Sequence, residues 1–383
     1  MTGPLTGLRV LELAGLAPAP FACTVLSDLG AEVLRIDRAA VVRPPGGATR
    51  VSDPLTRGRR SVGVDLKHPD GAAAVLRLVE RADVLVEGFR PGVCERLGLG
   101  PDVCLERNPR LVYARMTGYG QHGPMAERAG HDINYLALSG ALEPLGPGDG
   151  PPLPPLNYVA DFGGGGMLLA VGVLAALWER ERSGRGQVVD ASMVEGAALL
   201  SGIVHGLHAQ GLWRRERGGN LFDGSAPWYR SYACADGKFV AVGALEPQFW
   251  AELVRRLDLA EEALPDPHDP TAWPELTRRL ESAFATRTRD EWAALLEGAD
   301  ACVTPVLSPF EAPEHPHNRA RASFVDVDGH AQPAPAPRFS RTPGAVASGS
   351  PLPGEHTRTA LAEWGLDPEE IDGLTASGAL RQG

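Results

Sequence analysis

Leu8-Arg9-Val10-Leu11-Glu12-Leu13 is a short β-type run, and together with the next two segments it decides the fold. Phe21–Leu29 has a helical pattern, and Glu32-Val33-Leu34-Arg35-Ile36 is a second short run. Strand, helix, strand in so few residues reads as a βαβ unit, whose strands lie parallel. The pattern recurs. Ser61–Leu66 reads as a strand, Asp70–Arg81 as an amphipathic helix, and Val84–Phe89 and Leu111–Thr117 as strands. Apolar strands alternating with helices predict an α/β parallel sheet covered on both faces. Ligands of such sheets bind beyond the carboxyl ends of the strands. Three basic residues fall there: Arg38 after Ile36-Asp37, Lys67 after Leu66, and Arg90 after Gly88-Phe89. The first turn, Ala14-Gly15-Leu16-Ala17-Pro18-Ala19-Pro20, lacks the GxGxxG pattern, and its two prolines make a poor phosphate cradle. A nicotinamide enzyme is therefore disfavoured.

Composition narrows the class further. With 383 residues, 43% hydrophobic and 22% charged, the chain has the make-up of a globular protein of two domains, or of one with an insertion. The longest apolar run, near Met167–Trp178, is short for a bilayer span, and no basic segment precedes an apolar one at the N-terminus. The expectation is a cytoplasmic protein without a membrane span. Five scattered cysteines form no CxxC pair and no zinc-ligand spacing with histidine, so buried free thiols are expected and no metal. The net charge of −11 argues against nucleic acid. Residues 1–120 nevertheless hold sixteen basic and thirteen acidic side chains. A locally basic N-terminal portion suits a small polyanionic ligand.

Beyond residue 120 the chain changes character. Gly146–Pro155 is a Pro/Gly-rich loop, as Arg43–Gly47 is earlier in the chain. Asp161 opens a helical pattern that continues through Met167–Arg182 and closes at Ser183-Gly184. Gln187–Asp190 reads as a strand and Met193–Leu207 as one helix. A hairpin is expected from Tyr229–Ala233, a turn at Asp236-Gly237, and Phe239–Val242. Helices near Pro247–Leu257, Trp273–Ala285 and Arg289–Glu297 come next, then the linker-like Pro333-Ala334-Pro335-Ala336-Pro337. The organisation read from this is a large domain over 1–200, a linker over 201–227, a small domain over 228–330, and a return to the large domain over 331–383.

The chemistry-bearing stretches are Gly130-His131-Asp132-Ile133-Asn134-Tyr135 and Asp161-Phe162-Gly163-Gly164-Gly165-Gly166. Each places a titratable side chain at an expected loop-to-helix junction. Taken alone, His131 is ordinarily structural and Asp161 a helix N-cap. An imidazole and a carboxylate facing one carbon can instead remove a proton from one side and return one from the other. That is enough to invert a stereocentre without metal or cofactor.

These segments resemble CoA-transferase family III (the CaiB/BaiF type), and within it the α-methylacyl-CoA racemases. The resemblance runs through Leu8–Leu13, Asp28-Leu29-Gly30-Ala31-Glu32-Val33, Val64-Asp65-Leu66-Lys67 and Glu87-Gly88-Phe89-Arg90-Pro91-Gly92. It continues in Gly118-Tyr119-Gly120-Gln121-His122-Gly123-Pro124, Asn220-Leu221-Phe222-Asp223-Gly224 and Gly243-Ala244-Leu245-Glu246-Pro247-Gln248-Phe249. It implies a large domain with a Rossmann-like parallel sheet flanked by helices, a smaller α+β domain, and an intertwined homodimer with sites between subunits. By matching motif positions it implies that CoA lies along Arg38, Val64, Asp65, Leu66, Lys67, Gly88, Phe89, Arg90, Arg96 and Gly130, with Asp132, Ile133, Asn134 and Tyr135. His131 and Asp161 would be the catalytic pair, with Glu246 orienting and charge-balancing His131. The segment Ala39–Ser52 is longer than in the racemases it resembles and lies between two ligand-bearing strand ends.

The reaction so implied is interconversion of (R)- and (S)-2-methylacyl-CoA thioesters through an enolate, with CoA as part of the substrate and no cofactor. Two alternatives stay open on the residues alone. A CoA-transferase would use Asp161 as a nucleophile, and an acyl-CoA-binding protein would use neither group chemically. His131 discriminates, because transfer has no need of an α-proton base there.

Overall fold

The structure is a computed structural model that describes residues 3–44, 46–47, 49–260 and 264–383. The first unit opens with β1 (Arg9–Leu13), α1 (Pro18–Asp28), β2 (Glu32–Arg38), β3 (Arg59–Val64), α2 (Pro69–Val79) and β4 (Val84–Glu87). It continues with α3 (Val93–Arg96), α4 (Pro101–Arg107), β5 (Val112–Thr117) and α5 (Asp132–Ser139). A π-helical segment (Tyr158–Met167) then leads into α6 (Leu168–Ser183), β6 (Val188–Ser192) and α7 (Met193–Leu200). The second unit holds α8 (Gly202–Ala209), β7 (Tyr229–Ala233), β8 (Phe239–Gly243), α9 (Pro247–Arg256), α10 (Trp273–Phe284), α11 (Arg289–Leu296) and β9 (Val303–Pro305). The chain returns through α12 (Pro316–Ala320), β10 (Phe324–Val327), β11 (His330–Pro333), α13 (Thr357–Glu363), α14 (Pro368–Ala376) and β12 (Leu380–Arg381).

The main sheet has the order β12-β3-β2-β1-β4-β5-β6. Its strands are parallel except β12, which pairs antiparallel with β3. The order 3-2-1-4-5-6 is that of a doubly wound sheet, whose topological switch point lies between β1 and β4. The apolar runs are buried because both sheet faces are covered. Leu11, Leu34, Val62, Leu85 and Tyr113 join side chains of α2, α4 and α13 in one core.

One feature of the sheet is not apolar. Glu12, fully buried on β1, meets Arg35 of β2 at 2.5 Å and Arg59 of β3 at 2.6 Å. The Arg59 guanidinium also donates to the Pro20 carbonyl in the first turn of α1 and to the Leu55 carbonyl. Arg35 continues the network to Asp37, whose carboxylate accepts from the Ser61 hydroxyl at 2.7 Å. The start of α1 is thus tied to the sheet by charge-assisted hydrogen bonds.

Two regions depart from the sequence reading by contact. The structure groups Met1–Ser139, Pro155–Leu200 and His317–Gly383 in the first unit, and Gly140–Pro154 with Ser201–Pro316 in the second. Arg217 binds the carbonyls of Glu143, Pro147 and Gly150, which fastens the 140–154 loop to the 210–225 stretch. Asp223 accepts the N–H groups of Gly218, Gly219 and Asn220, so that stretch is folded rather than a free linker. The expected hairpin pairs β7 antiparallel with β8, and Gly237 takes φ +73° in its turn.

Helix bounds shift in three places. The expected helix over 193–207 breaks at Ser201 into α7 and α8. α1 begins at Pro18 rather than Phe21, since proline is tolerated in a helix's first turn. The helix expected from Met167 is continuous with the π-helical segment, giving a 26-residue stretch, Tyr158–Ser183, long and apolar enough to cross a membrane. Its most apolar window is 44% buried inside the molecule. Four cysteines are buried as expected, whereas Cys302 is exposed.

The glycines of the π-helical segment let other backbones approach. A Cβ on Gly164 would stand 2.6 Å from the Ala197 nitrogen, and one on Gly196 would overlap the Gly164 carbonyl. Neither neighbour is a flexible side chain. Gly196→Ala is therefore expected to destabilise the protein by about 1–3 kcal/mol, read as a lower thermal midpoint. An unchanged midpoint would show that α7 can move aside.

Candidate active site

The cleft opens at the switch point, where the physics of the sheet places it. Leu16, Ala17 and Pro18 come after β1, Gly88, Phe89 and Arg90 come after β4, and Met116 and Thr117 end β5 with Gly118 directly after it; all line it. Gly130, His131, Tyr135 and Asp161 face the same space of about 480 Å³. The two titratable groups singled out in the sequence, thirty residues apart, thus share one cleft.

His131 sits immediately before α5, as expected. Its backbone N–H donates to Asn134 Oδ1 at 3.0 Å, which closes the first turn of the helix. Its side chain lies at the solvent-exposed mouth. Asp161 departs from its expected place. It is not an N-cap but lies inside the π-helical segment, which starts at Tyr158. π-helical turns are rare and concentrate at functional sites. Here the wider turn and four successive glycines pack against α1 and α7, with Phe162 on Phe21 at 4.9 Å between ring centroids.

The Asp161 carboxyl is half-buried, and that burial raises its pKa above the ordinary range. The Asn157 amide donates to it at 3.2 Å and opposes the shift. The Asp132 carboxylate adds to the rise, and His131 counters it. Both groups therefore act electrostatically on Asp161. Tyr135 is pushed up to about 12, chiefly by burial and then by Tyr119 and Asp161. Its hydroxyl donates to the Gly130 carbonyl at 2.5 Å, and its ring packs edge-on against Tyr119. This fixes the turn that precedes His131.

The other expected ligand residues separate into groups. Gly88, Phe89 and Arg90 line the cleft. Their turn is held by buried Glu87, which accepts the Phe89 N–H at 2.7 Å and pairs with Arg115 at 2.7 Å. Arg38 is exposed at the end of β2, Lys67 lies just beyond β3, and Arg96 ends α3. Val64 is buried in β3, Leu66 packs on the core, and Asp65 accepts the Lys67 N–H at 3.0 Å. None of these six residues is among the described residues that line the cleft itself. Ile133 and Asn134 are exposed on α5, whereas Asp132 is buried and turned inward. Glu246 is exposed at the N-terminus of α9 in the second unit. The Ala39–Ser52 segment, of which Pro45 and Ala48 lie outside the described residues, is tied at its end to the returning chain: Arg50 pairs with Glu355 at 2.6 Å.

The lip formed by Leu16, Ala17 and Pro18 was missed as a site element. Its signal was available, since this turn comes directly after the first strand of the sheet. The prolines that disqualify it as a phosphate cradle make it an apolar wall, and Leu16 is 83% exposed there. Arg128, also lining the cleft, carries no motif that marks it.

The model of CoA-transferase family III matches residues 5–357. The mouse protein named alpha-methylacyl-CoA racemase is 50% identical over 369 residues, covering 96% of this chain and 95% of that protein. The beta subunit of succinyl-CoA–L-malate CoA-transferase of Chloroflexus aurantiacus is 33% identical and covers 97% of both chains. Among solved structures, a CaiB/BaiF family protein from Brucella suis superposes with a TM-score of 0.81 at 27% identity, covering 95% of this chain and all of that one. An exposed histidine and a half-buried carboxyl in one switch-point cleft, on a chain matched along nearly its whole length, place it: the chain belongs to CoA-transferase family III.

Proposed function

We propose that the protein is an isomerase that interconverts (R)- and (S)-2-methylacyl-CoA thioesters by moving the α-proton, without a cofactor. The observation that carries this reading is the presence of His131 and Asp161 on one cleft, in a chain half identical to a racemase. A thioester acidifies its α-C–H, yet the carbon acid remains far weaker than a side-chain base. The base and acid each contribute about 10²–10⁴-fold when positioned. In one direction neutral His131 takes the proton and protonated Asp161 supplies one to the opposite face; the reverse direction exchanges the roles. The pair carries one proton in total, and burial raises the Asp161 pKa above the ordinary carboxyl range.

The enolate oxygen needs donors as well, each supplying roughly 3–4 kcal/mol when preorganised. The Ala160 and Asp161 amides are taken by Asp132, and that of His131 by Asn134. The N–H groups of Asp132 and Ile133, in the first turn of α5, have no intrahelical acceptor. We assign the oxyanion to them. Arg38, Lys67, Arg90 and Arg96 would hold the CoA phosphates, and Glu246 would support His131. A homodimer is consistent with the large apolar side chains that α6 and α7 leave exposed, Val171, Trp178, Leu199 and Leu200.

One experiment separates this reading from the alternatives. (R)- or (S)-2-methylacyl-CoA is incubated with the protein in D₂O, with and without an acceptor acid. α-Deuteration with loss of optical purity is expected, independent of acceptor. Acceptor-dependent movement of CoA without α-exchange would assign Asp161 as a transferase nucleophile, the role open to it in a family that includes named transferases. Binding with neither outcome would leave a carrier.

A further inference from the structure

Asp132 opens α5 directly after His131 and is only 5% exposed. Its Oδ2 accepts the N–H groups of Ala160 and Asp161, both at 2.8 Å. Its Oδ1 is buried and accepts no hydrogen bond among the described residues. A carboxylate held by two amides, with no cation paired to it among the described residues, is a costly group to keep in a protein interior. An asparagine would satisfy the same two amides without the charge. The carboxylate at this point is held on the backbone of Asp161 itself.

We propose that Asp132 is a positioning residue for Asp161: one buried carboxylate ties the residue after His131 to the backbone of Asp161 and sets a fixed negative charge beside it. The tie fixes the two sides of the cleft relative to each other, since His131 leads into α5 and the π-helical segment carries Asp161. The charge makes ionisation of Asp161 harder, so the carboxyl keeps its proton at higher pH. This assignment rests on the racemase reading of the pair.

Among the described residues, no other acid near Asp161 supplies that effect. From α5 and the turn before it, Asp161 faces His131, Asp132 and Tyr135, and from its own segment Asn157. Across the cleft stand the cations Arg90 and Arg128. α1 meets the segment through Phe21 and carries no acid in its first turn. α7 meets it through Gly196 and Ala197, and its Glu195 is engaged by Ser192 at 2.5 Å. α6 continues the segment with no acid in its first turn, and Asp190 of β6 accepts the Gln121 N–H.

Asp132→Asn tests the assignment, because the amide oxygen still accepts both N–H groups while the charge is gone. Asp161 ionisation is followed directly by carboxyl ¹³C NMR in the substrate-free protein, with Asp161→Asn identifying the signal. The Asp161 midpoint is expected to fall by about one pH unit. The alkaline limb of kcat/KM, where Asp161 loses the proton it donates, should move to lower pH with it, and kcat should drop several-fold at nearly constant KM. An unmoved Asp161 midpoint in folded Asp132→Asn protein would reduce Asp132 to a structural tie and overturn the proposal. Should the asparagine variant not fold, Asp132→Ser is read the same way. The NMR titration does not depend on turnover, so a wild-type protein that exchanges no α-proton overturns the racemase reading separately.

Discussion

His131→Ala is expected to lower racemisation of 2-methylacyl-CoA by about 10²–10⁴-fold, the range for removing one positioned acid–base group. The variant should fold normally, because His131 is an exposed side chain. Its structural contribution is a backbone N–H to Asn134 that alanine retains. The loss should be asymmetric in a way that reports the mechanism. Asp161 still faces the cleft and can exchange the α-proton on its own side, so one enantiomer should continue to take up deuterium while inversion stops. Chiral analysis of the recovered acyl-CoA beside deuterium content separates the two events. Undiminished inversion would remove His131 from the chemistry and sink the two-base scheme.

The second large effect concerns stability. Arg59→Met removes one partner of a fully buried ion pair, leaving Glu12 with Arg35 alone. Breaking such a pair from one side costs about 3–5 kcal/mol, because the remaining charge stays desolvated. A large fall in the denaturant midpoint is expected. The same change leaves the Pro20 carbonyl in the first turn of α1 without its Arg59 donor, with the Thr24 hydroxyl still bonded to it, two residues beyond Pro18 at the cleft wall. Substrate affinity should weaken in whatever fraction remains folded. If Arg59→Met unfolds at the wild-type midpoint, the Glu12–Arg59 contact carries no stability.

Much of the fold is legible in local sequence. The strands around Val10, Val33, Val62, Leu85 and Val112 are marked by apolar runs between helical patterns, and rules for βαβ connections limit how they can be ordered. What local pattern conceals is charge placed by distant partners. Glu12 is a charged residue within the strand run Leu8–Leu13, and only the approach of Arg35 and Arg59 makes it a buried ion-pair centre. The stretch 210–225 reads as a linker from its polarity, yet Asp223 and Arg217 spend that polarity on backbone groups. Asp161 reads as an N-cap because four glycines after it look like a weak helix. The segment is helical because those glycines admit α1 and α7, a gain from tertiary packing.

By itself the sequence determined the residue types, the alternation of strand and helix, and hence a parallel sheet with a ligand edge near Arg38, Lys67 and Arg90. Those depend on periodicity and propensity, which act over a few residues. Only the tertiary structure decided that His131 and Asp161 share one cleft, that Leu16 and Pro18 wall it, and that Asp132 turns inward to hold Asp161. Such facts are distances between segments remote in the chain, set by close packing at Gly164 and Gly196 and by buried charge.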